Sequence, residues 1–300
     1  MKKLLAERAR HVRAIRAFFE SRGFVEVETP AIVPSPGMDL HLDAYAVGGD
    51  WLITSPEYQM KRLLADGWER IFQIARCFRR GERGERHNPE FTMVEWYRGN
   101  AGVEDVMRDT EQLVAAVSGG VFRLDGRTID ARPPYSRMTV CEAFARFAGV
   151  REDDVLAWAA RDEDAYFRAW VDQVEPRIAE LDRPTFVVDY PAEMASLARK
   201  KPDDARFCER FELYVAGVEL CNGFGELTDP REQRARFEHD QTERARRGLP
   251  VLPIDEKLMA ALARGLPPCA GNALGVDRLV ALACGTTDIR RVLAFSADEV

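Results

Sequence analysis

Residues 70–99, RIFQIARCFRRGERGERHNPEFTMVEWYRG, constrain the fold more than any other stretch of this 300-residue chain. The two ends, RIFQIARCFRR and EFTMVEWYRG, are rich in β-branched and aromatic residues and read as strands. A charged loop joins them, which makes a hairpin. Between Phe78 and Arg98 the sequence places five arginines, four glutamates and four aromatic residues. Charge runs are usually solvated, so a surface salt-bridge hairpin accounts for the charges. A pocket that holds a polyanion, a flat base and an amine accounts for the aromatic rings as well.

The flanking segments supply more strands and the helices between them. Leu4, Leu5, Val12, Ile15, Phe18 and Phe19 fall on one face at helical spacing, with Gly23 placed to end that helix. FVEVETP is a short alternating strand stopped by Pro30, and DWLITSPEYQMKRLLADG reads as strand, turn and a helix ending at Gly67. Asp105–Val117 is a helix broken by Gly119 and Gly120. The stretch from Arg151 to Leu181 is polar, acidic and mostly helical, and is expected as an insertion on the side of one domain spanning 1–300. TFVVDYP and RFELYVAGVELCNGF restore strands, REQRARFEHDQTERARRG is a charged helix, and CAGNALGVDRLVALACG runs from strand into helix. Hairpin-linked strands with helices between them predict an α+β fold, an antiparallel sheet backed by helices.

Bulk composition narrows the partners. A net charge of -7 argues against a main task of gripping a nucleic-acid backbone. Six scattered cysteines without a C-x-x-C pair fit reduced thiols and a cytoplasmic setting. The amino-terminal MKKLLAERARHVRAIRAFF interrupts every apolar run with charge, so neither a secretory signal nor a membrane span is expected. The sequence contains no G-x-x-x-x-G-K-[ST] loop and no G-x-G-x-x-G after a strand. If ATP binds, side chains must hold it.

Three ordered segments then carry a resemblance. GFVEVETPAIV, FRRGERGERHNPEFTMVEWYR and GNALGVDRL resemble motifs one, two and three of the class II aminoacyl-tRNA synthetases, and TSPEYQMKRLL, HNPEFTMVEWY and VELCNGFGELTDP are similar to the lysyl type. The resemblance covers nearly the whole chain. It implies the class II catalytic core, ATP with Mg²⁺, and in-line attack of an amino-acid carboxylate on the α-phosphorus. That chemistry rests on positioning and charge stabilisation. By resemblance Arg79 contacts the α-phosphate, Arg278 holds the far end of the triphosphate, and Phe91 stacks on adenine. Gly81, Glu82, His87, Asn88, Glu219, Leu220 and Gly275 complete the implied nucleotide contacts. The usual acid two positions after the motif-two arginine is replaced by Gly81, with Glu82 next.

Glu212 and Glu219 are implied as the magnesium pair. Their odd separation would place them on opposite faces of a continuous strand, so a turn is expected at Ala216-Gly217; without the resemblance they read as exposed charges. Ser55, Pro56, Glu57, Glu95, Tyr97, Asn222, Glu226 and Ala273 correspond to the amino-acid pocket, where each ammonium of a diamine needs a carboxylate. Motif one begins within the first thirty residues, which is expected to leave no room for the anticodon-reading module of ordinary lysyl enzymes. Ala273 stands where lysyl enzymes place glycine, a change that also fits drift between small residues. Both features resemble the elongation factor P lysine ligase family. That family implies (R)-β-lysine as substrate, elongation factor P rather than tRNA as acceptor, and a homodimer through motif one. The apolar face of the first helix fits either that interface or the core.

Overall fold

A computed structural model describes residues 2–195 and 197–300. The chain runs from helix α1 (Lys2–Glu20) into strand β1 (Val25–Glu26), the strands β2 (Ile32–Val33), β3 (Ala46–Val47) and β4 (Asp50–Leu52), and helix α2 (Glu57–Ala65). Strands β5 (Arg70–Phe78) and β6 (Glu90–Gly99) follow, then α3 (Val103–Ser118), β7 (Val121–Leu124), β8 (Arg127–Asp130) and β9 (Ser136–Thr139). Helices α4 (Val140–Ala148), α5 (Glu152–Arg161), α6 (Glu163–Ala169), a π-helical turn (Trp170–Val174) and α7 (Glu175–Ile178) precede β10 (Thr185–Pro191). After β11 (Phe207–Val215), β12 (Val218–Gly225), α8 (Pro230–Arg246) and α9 (Glu256–Gly265), β13 (Cys269–Gly275) runs into α10 (Val276–Ala283).

The α+β expectation holds, with a refinement at the edges. Eight strands form one sheet in the order β1-β5-β6-β13-β12-β11-β10-β9. From β5 through β10 neighbours are antiparallel, whereas β1 on β5 and β9 on β10 are parallel. The charged hairpin pairs from Arg70↔Arg98 to Phe78↔Glu90. FVEVETP contributes only two residues of strand: beyond Glu26 it follows β5 through Val27 N–H to Phe72 O and Thr29 N–H to the Gln73 side chain, and Pro30 has no donor to continue.

Alternation along the sheet decides which face does what. Phe72 and Trp96 point to one side, where α1, α3 and α10 cover them. Phe19 of α1 stacks on Phe72 at 4.8 Å and lies 5.1 Å from Trp96. The apolar face of α1 is therefore core. Its Arg8 pairs with the buried Asp277 at 2.6 Å, and Asp277 also accepts the Thr92 N–H, tying α1, β6 and α10 together. Ile71 and Tyr97 point to the opposite side, where α2, α8 and α9 pack. Cross-strand pairing puts Glu95, Ala273, Asn222 and Glu212 on that same second face. Further along, α4 to α7 bury Phe144, Tyr166, Trp170 and Val174 against Tyr190, Phe207 and Tyr214 of the sheet.

Candidate active site

At one end of the second face the loop after β5 folds back on the start of β6. Arg79 N–H donates to Pro89 O at 2.9 Å, and its guanidinium sits 5.0 Å over the Phe91 ring. Glu82 lies 3.7 Å from that guanidinium. The Arg79 Nε is buried without a hydrogen-bond partner. Arg278 comes from the first turn of α10. It donates to Glu219 O at 2.8 Å and Arg86 O at 3.2 Å, and its Nη2 meets His87 Nε2 at 2.8 Å. Burial, then the Arg278 charge, lowers the His87 pKa, so the ring is a neutral acceptor for that guanidinium. Asn88 spends its amide on Glu90 O and the Ala297 N–H, which pins the carboxy-terminal segment to the loop. Gly81 has φ +86°, a left-handed turn that excludes the acid otherwise found there; an added Cβ would meet nothing within 4 Å, so backbone conformation rather than crowding selects glycine.

Strands β11 and β12 hold the paired glutamates. Ala216 at φ +50° and Gly217 at φ +74° make the turn, and Tyr214 pairs with Glu219. A bulge then shifts the register, so that Glu212 pairs with Asn222. The turn and bulge together bring Glu212, Glu219 and Asn222 to one face. Glu212 is buried and accepts from Tyr190 OH at 2.6 Å, Tyr214 OH at 2.7 Å and Arg210 at 2.5 Å. Glu219 keeps 40% of its side chain open, toward the cavity rather than bulk water. Its enclosed position, and then the Glu212 charge, push its carboxyl up to about 7. The nearest cation to the Glu219 carboxylate is Arg278, 3.9 Å away. Oxygen donors of that kind fit Mg²⁺, with Glu219 the available ligand and Glu212 offering only the oxygen it shares with Arg210. Among the described residues no group of three or more His, Cys, Asp or Glu side chains could hold a metal without help from a substrate.

The other end of the face is acidic and buried. Ser55 OH donates to Glu95 at 2.6 Å, and Tyr97 OH donates to its second oxygen at 3.0 Å. Burial, then the Glu57 charge, pushes the Glu95 carboxyl up to about 8. Pro56 is the N-cap of α2, and the Ser55 hydroxyl also accepts the Glu57 N–H. Lys61, one helical turn beyond Glu57, lies 2.6 Å from both Glu57 and Glu226. Asn222 accepts from Arg210 at 3.2 Å. Ala273 pairs with Glu95 on one side and Asn222 on the other.

Both ends open into one cavity of about 710 Å³. Its wall includes Arg79, Glu82, His87, Asn88, Phe91, Glu212, Glu219, Leu220, Gly275 and Arg278, together with Ser55, Glu57, Glu95, Asn222 and Ala273. Neither Pro56 nor Gly81 lines this cavity, and Tyr97 and Glu226 stand behind its wall, Tyr97 against Glu95 and Glu226 against Lys61. Residues 1–299 match the family of class II tRNA synthetases (D, K and N). The chain belongs to that family. Among curated relatives, an elongation factor P--(R)-beta-lysine ligase of Klebsiella pneumoniae is 44% identical over 313 residues, covering 98% of this chain and 95% of the relative. The protein of the same name from Salmonella heidelberg is 42% identical, with the same coverage of both chains.

The class II site contains residues that motif reading passes over. Lys61 sits at the i+4 spacing that marks a helix-surface pair, and its sequence neighbours do not show that it is buried. Tyr190, Arg210 and Tyr214 reach Glu212 through sheet neighbours distant in sequence. Tyr166, Phe167, Trp170 and Glu175 bring the helical stretch 152–178 into the cavity wall. Asp277, beside Arg278, anchors the fold.

Proposed function

We propose that this chain activates (R)-β-lysine with ATP and passes the acyl group to a lysine side chain of elongation factor P. One observation carries the reading: a single cavity joins two arginines and an aromatic ring to a buried cluster of carboxylates. The names and near-full coverage of the relatives support the substrate and the acceptor. Arg79 and Arg278 stabilise charge on the transferring phosphate and orient the triphosphate, while Phe91 stacks on adenine. Glu219 and Glu212 hold Mg²⁺, which when bound supplies positive charge to the phosphate oxygens. Glu57 and Glu95 on the cavity wall receive the two ammonium groups, with Tyr97 and Glu226 supporting them from behind it, and leave the substrate carboxylate facing the nucleotide. Ala273 places a methyl group on the cavity wall between Glu95 and Asn222, where it crowds an amine on the α-carbon more than one on the β-carbon.

The first step forms the aminoacyl adenylate and releases pyrophosphate. In the second, a neutral acceptor amine attacks the acyl carbon and AMP leaves. The active form is a homodimer through motif one, supported by Val25, Ile32 and Val47, which are 45%, 50% and 40% exposed around that segment. A cytoplasmic location fits its unpaired cysteines, and no described helix is long and apolar enough to cross a membrane. Incubating elongation factor P with the chain, ATP, Mg²⁺ and (R)-β-lysine is expected to add one β-lysyl group, read by intact-protein mass. Labelled amino acid on tRNA, with elongation factor P unmodified, would replace this reading with tRNA acylation.

A further inference from the structure

We propose that Lys61 is a positioning residue whose buried ammonium sets the charge of the amino-acid pocket, so that the pocket takes a substrate with two ammonium groups. The inference rests on the diamino-acid reading above. An i,i+4 pair on a helix is normally exposed and contributes little. Here the Lys61 side chain is only 2% exposed, and it bridges Glu57 on α2 to Glu226, just past the end of β12. A lysine in such a place must be paired to remain charged. Burial alone would lower its pKa, but the Glu226 and Glu57 carboxylates more than reverse that, so it stays an ammonium.

Charge counting around Lys61 then limits the ligand. Lys61 meets Glu57 and Glu226, and with Glu95 beside them the three acids leave two negative charges when all are ionised. Glu95, on β6, is held by a serine and a tyrosine hydroxyl and meets no cation. Tyr97 of β6 and Cys269 of β13 also face the cluster, and Arg199 acts on Glu226 from further off. One oxygen of Glu226 has no hydrogen-bond partner. Burial, then the Glu57 charge, pushes Glu95 up to about 8, and burial pushes Glu226 up to about 7 against the opposing pull of the Lys61 ammonium. Such a cluster is short of positive charge, and a diamine supplies it. Lys61 stands behind the wall with Glu226, while Glu57 and Glu95 line it, so Lys61 acts through its partners rather than on the substrate.

The test is ATP–pyrophosphate exchange across pH with the full chain and Lys61→Met. On the acid side of the profile, loss of the buried cation is expected to raise KM for the diamino acid up to about tenfold, with KM for ATP changed less than about threefold. The acid limb of kcat/KM for the amino acid should move up by about one pH unit, because a pocket acid must then lose its proton before the substrate cation binds. A purely structural role would lower kcat without moving that limb. The double variant Lys61→Met/Glu226→Gln removes both charges and restores two negative charges, so it folds and returns the limb to the wild-type position. An unmoved limb and amino-acid KM in Lys61→Met would overturn the inference; if that variant does not fold, a shifted limb in the double variant would do so. Absence of exchange by the wild-type chain with any diamino acid would overturn the underlying reading along with it.

Discussion

Arg79 and Arg278, the two arginines proposed to hold the nucleotide, differ in how far the fold already fixes them. Arg278 already donates to two backbone carbonyls and meets His87, so its direction is fixed in advance. Arg79 has the Phe91 ring, a long contact to Glu82 and a buried Nε with no partner, which leaves donors for a ligand. Arg79→Ala is expected to lower the pyrophosphate-exchange rate by about 100- to 1,000-fold, the scale seen when a transition-state donor is lost. Its thermal midpoint should stay near wild type, because the guanidinium supports little of the core. Wild-type exchange would remove Arg79 from the phosphate site. At this scale the candidate residues were legible through the three motif segments, whose side-chain types suit the phosphate, adenine and amine that the resemblance implies. Lys61 was hidden, since i+4 spacing to an acid reads as a surface pair until burial is known. Gly81 registered only as a missing acid, and its positive φ supplies the reason.

Among the elements, the two hairpins that carry the site differ in how much of their geometry local sequence can specify. The β5–β6 register follows from two long strands around a charged loop, and the turn at Ala216-Gly217 follows from the need to bring Glu212 and Glu219 together. The bulge that returns Asn222 to the cavity face leaves no comparable mark, because it depends on packing against β11 and β13. The placement of the helices at 152–178 against the cavity is likewise set by tertiary contacts with β10 and β11. Strand β13 makes a tight crossing: a Cβ on Gly271 would overlap the Tyr97 ring and lie 2.9 Å from Glu226. Gly271→Ala must displace the tyrosine that holds Glu95. It is expected to cost about 1–3 kcal/mol of stability in denaturant unfolding, and to raise KM for the amino acid more than for ATP. Equal effects on both KM values would show that the crossing does not shape the acidic end.

For the whole molecule, helices on both faces of one antiparallel-centred sheet leave the cavity on the face opposite α1, α3 and α10. The use of α1 in the core settles what its apolar stripe does in this chain, and moves the proposed dimer contact to the exposed apolar residues of motif one. Light scattering is expected to give twice the 34.0 kDa chain mass, with Ile32→Asp shifting the protein toward monomer. A monomeric wild-type protein at micromolar concentration would contradict that assembly. The central claim is that arginines and a ring seat ATP beside carboxylates that seat a diamine, with Ala273 favouring the β-isomer. Pyrophosphate exchange with (R)-β-lysine and ordinary lysine side by side tests it most directly. ATP-dependent exchange with clear preference for (R)-β-lysine is expected, whereas equal exchange with the two isomers, or none with either, would refute the proposed activity.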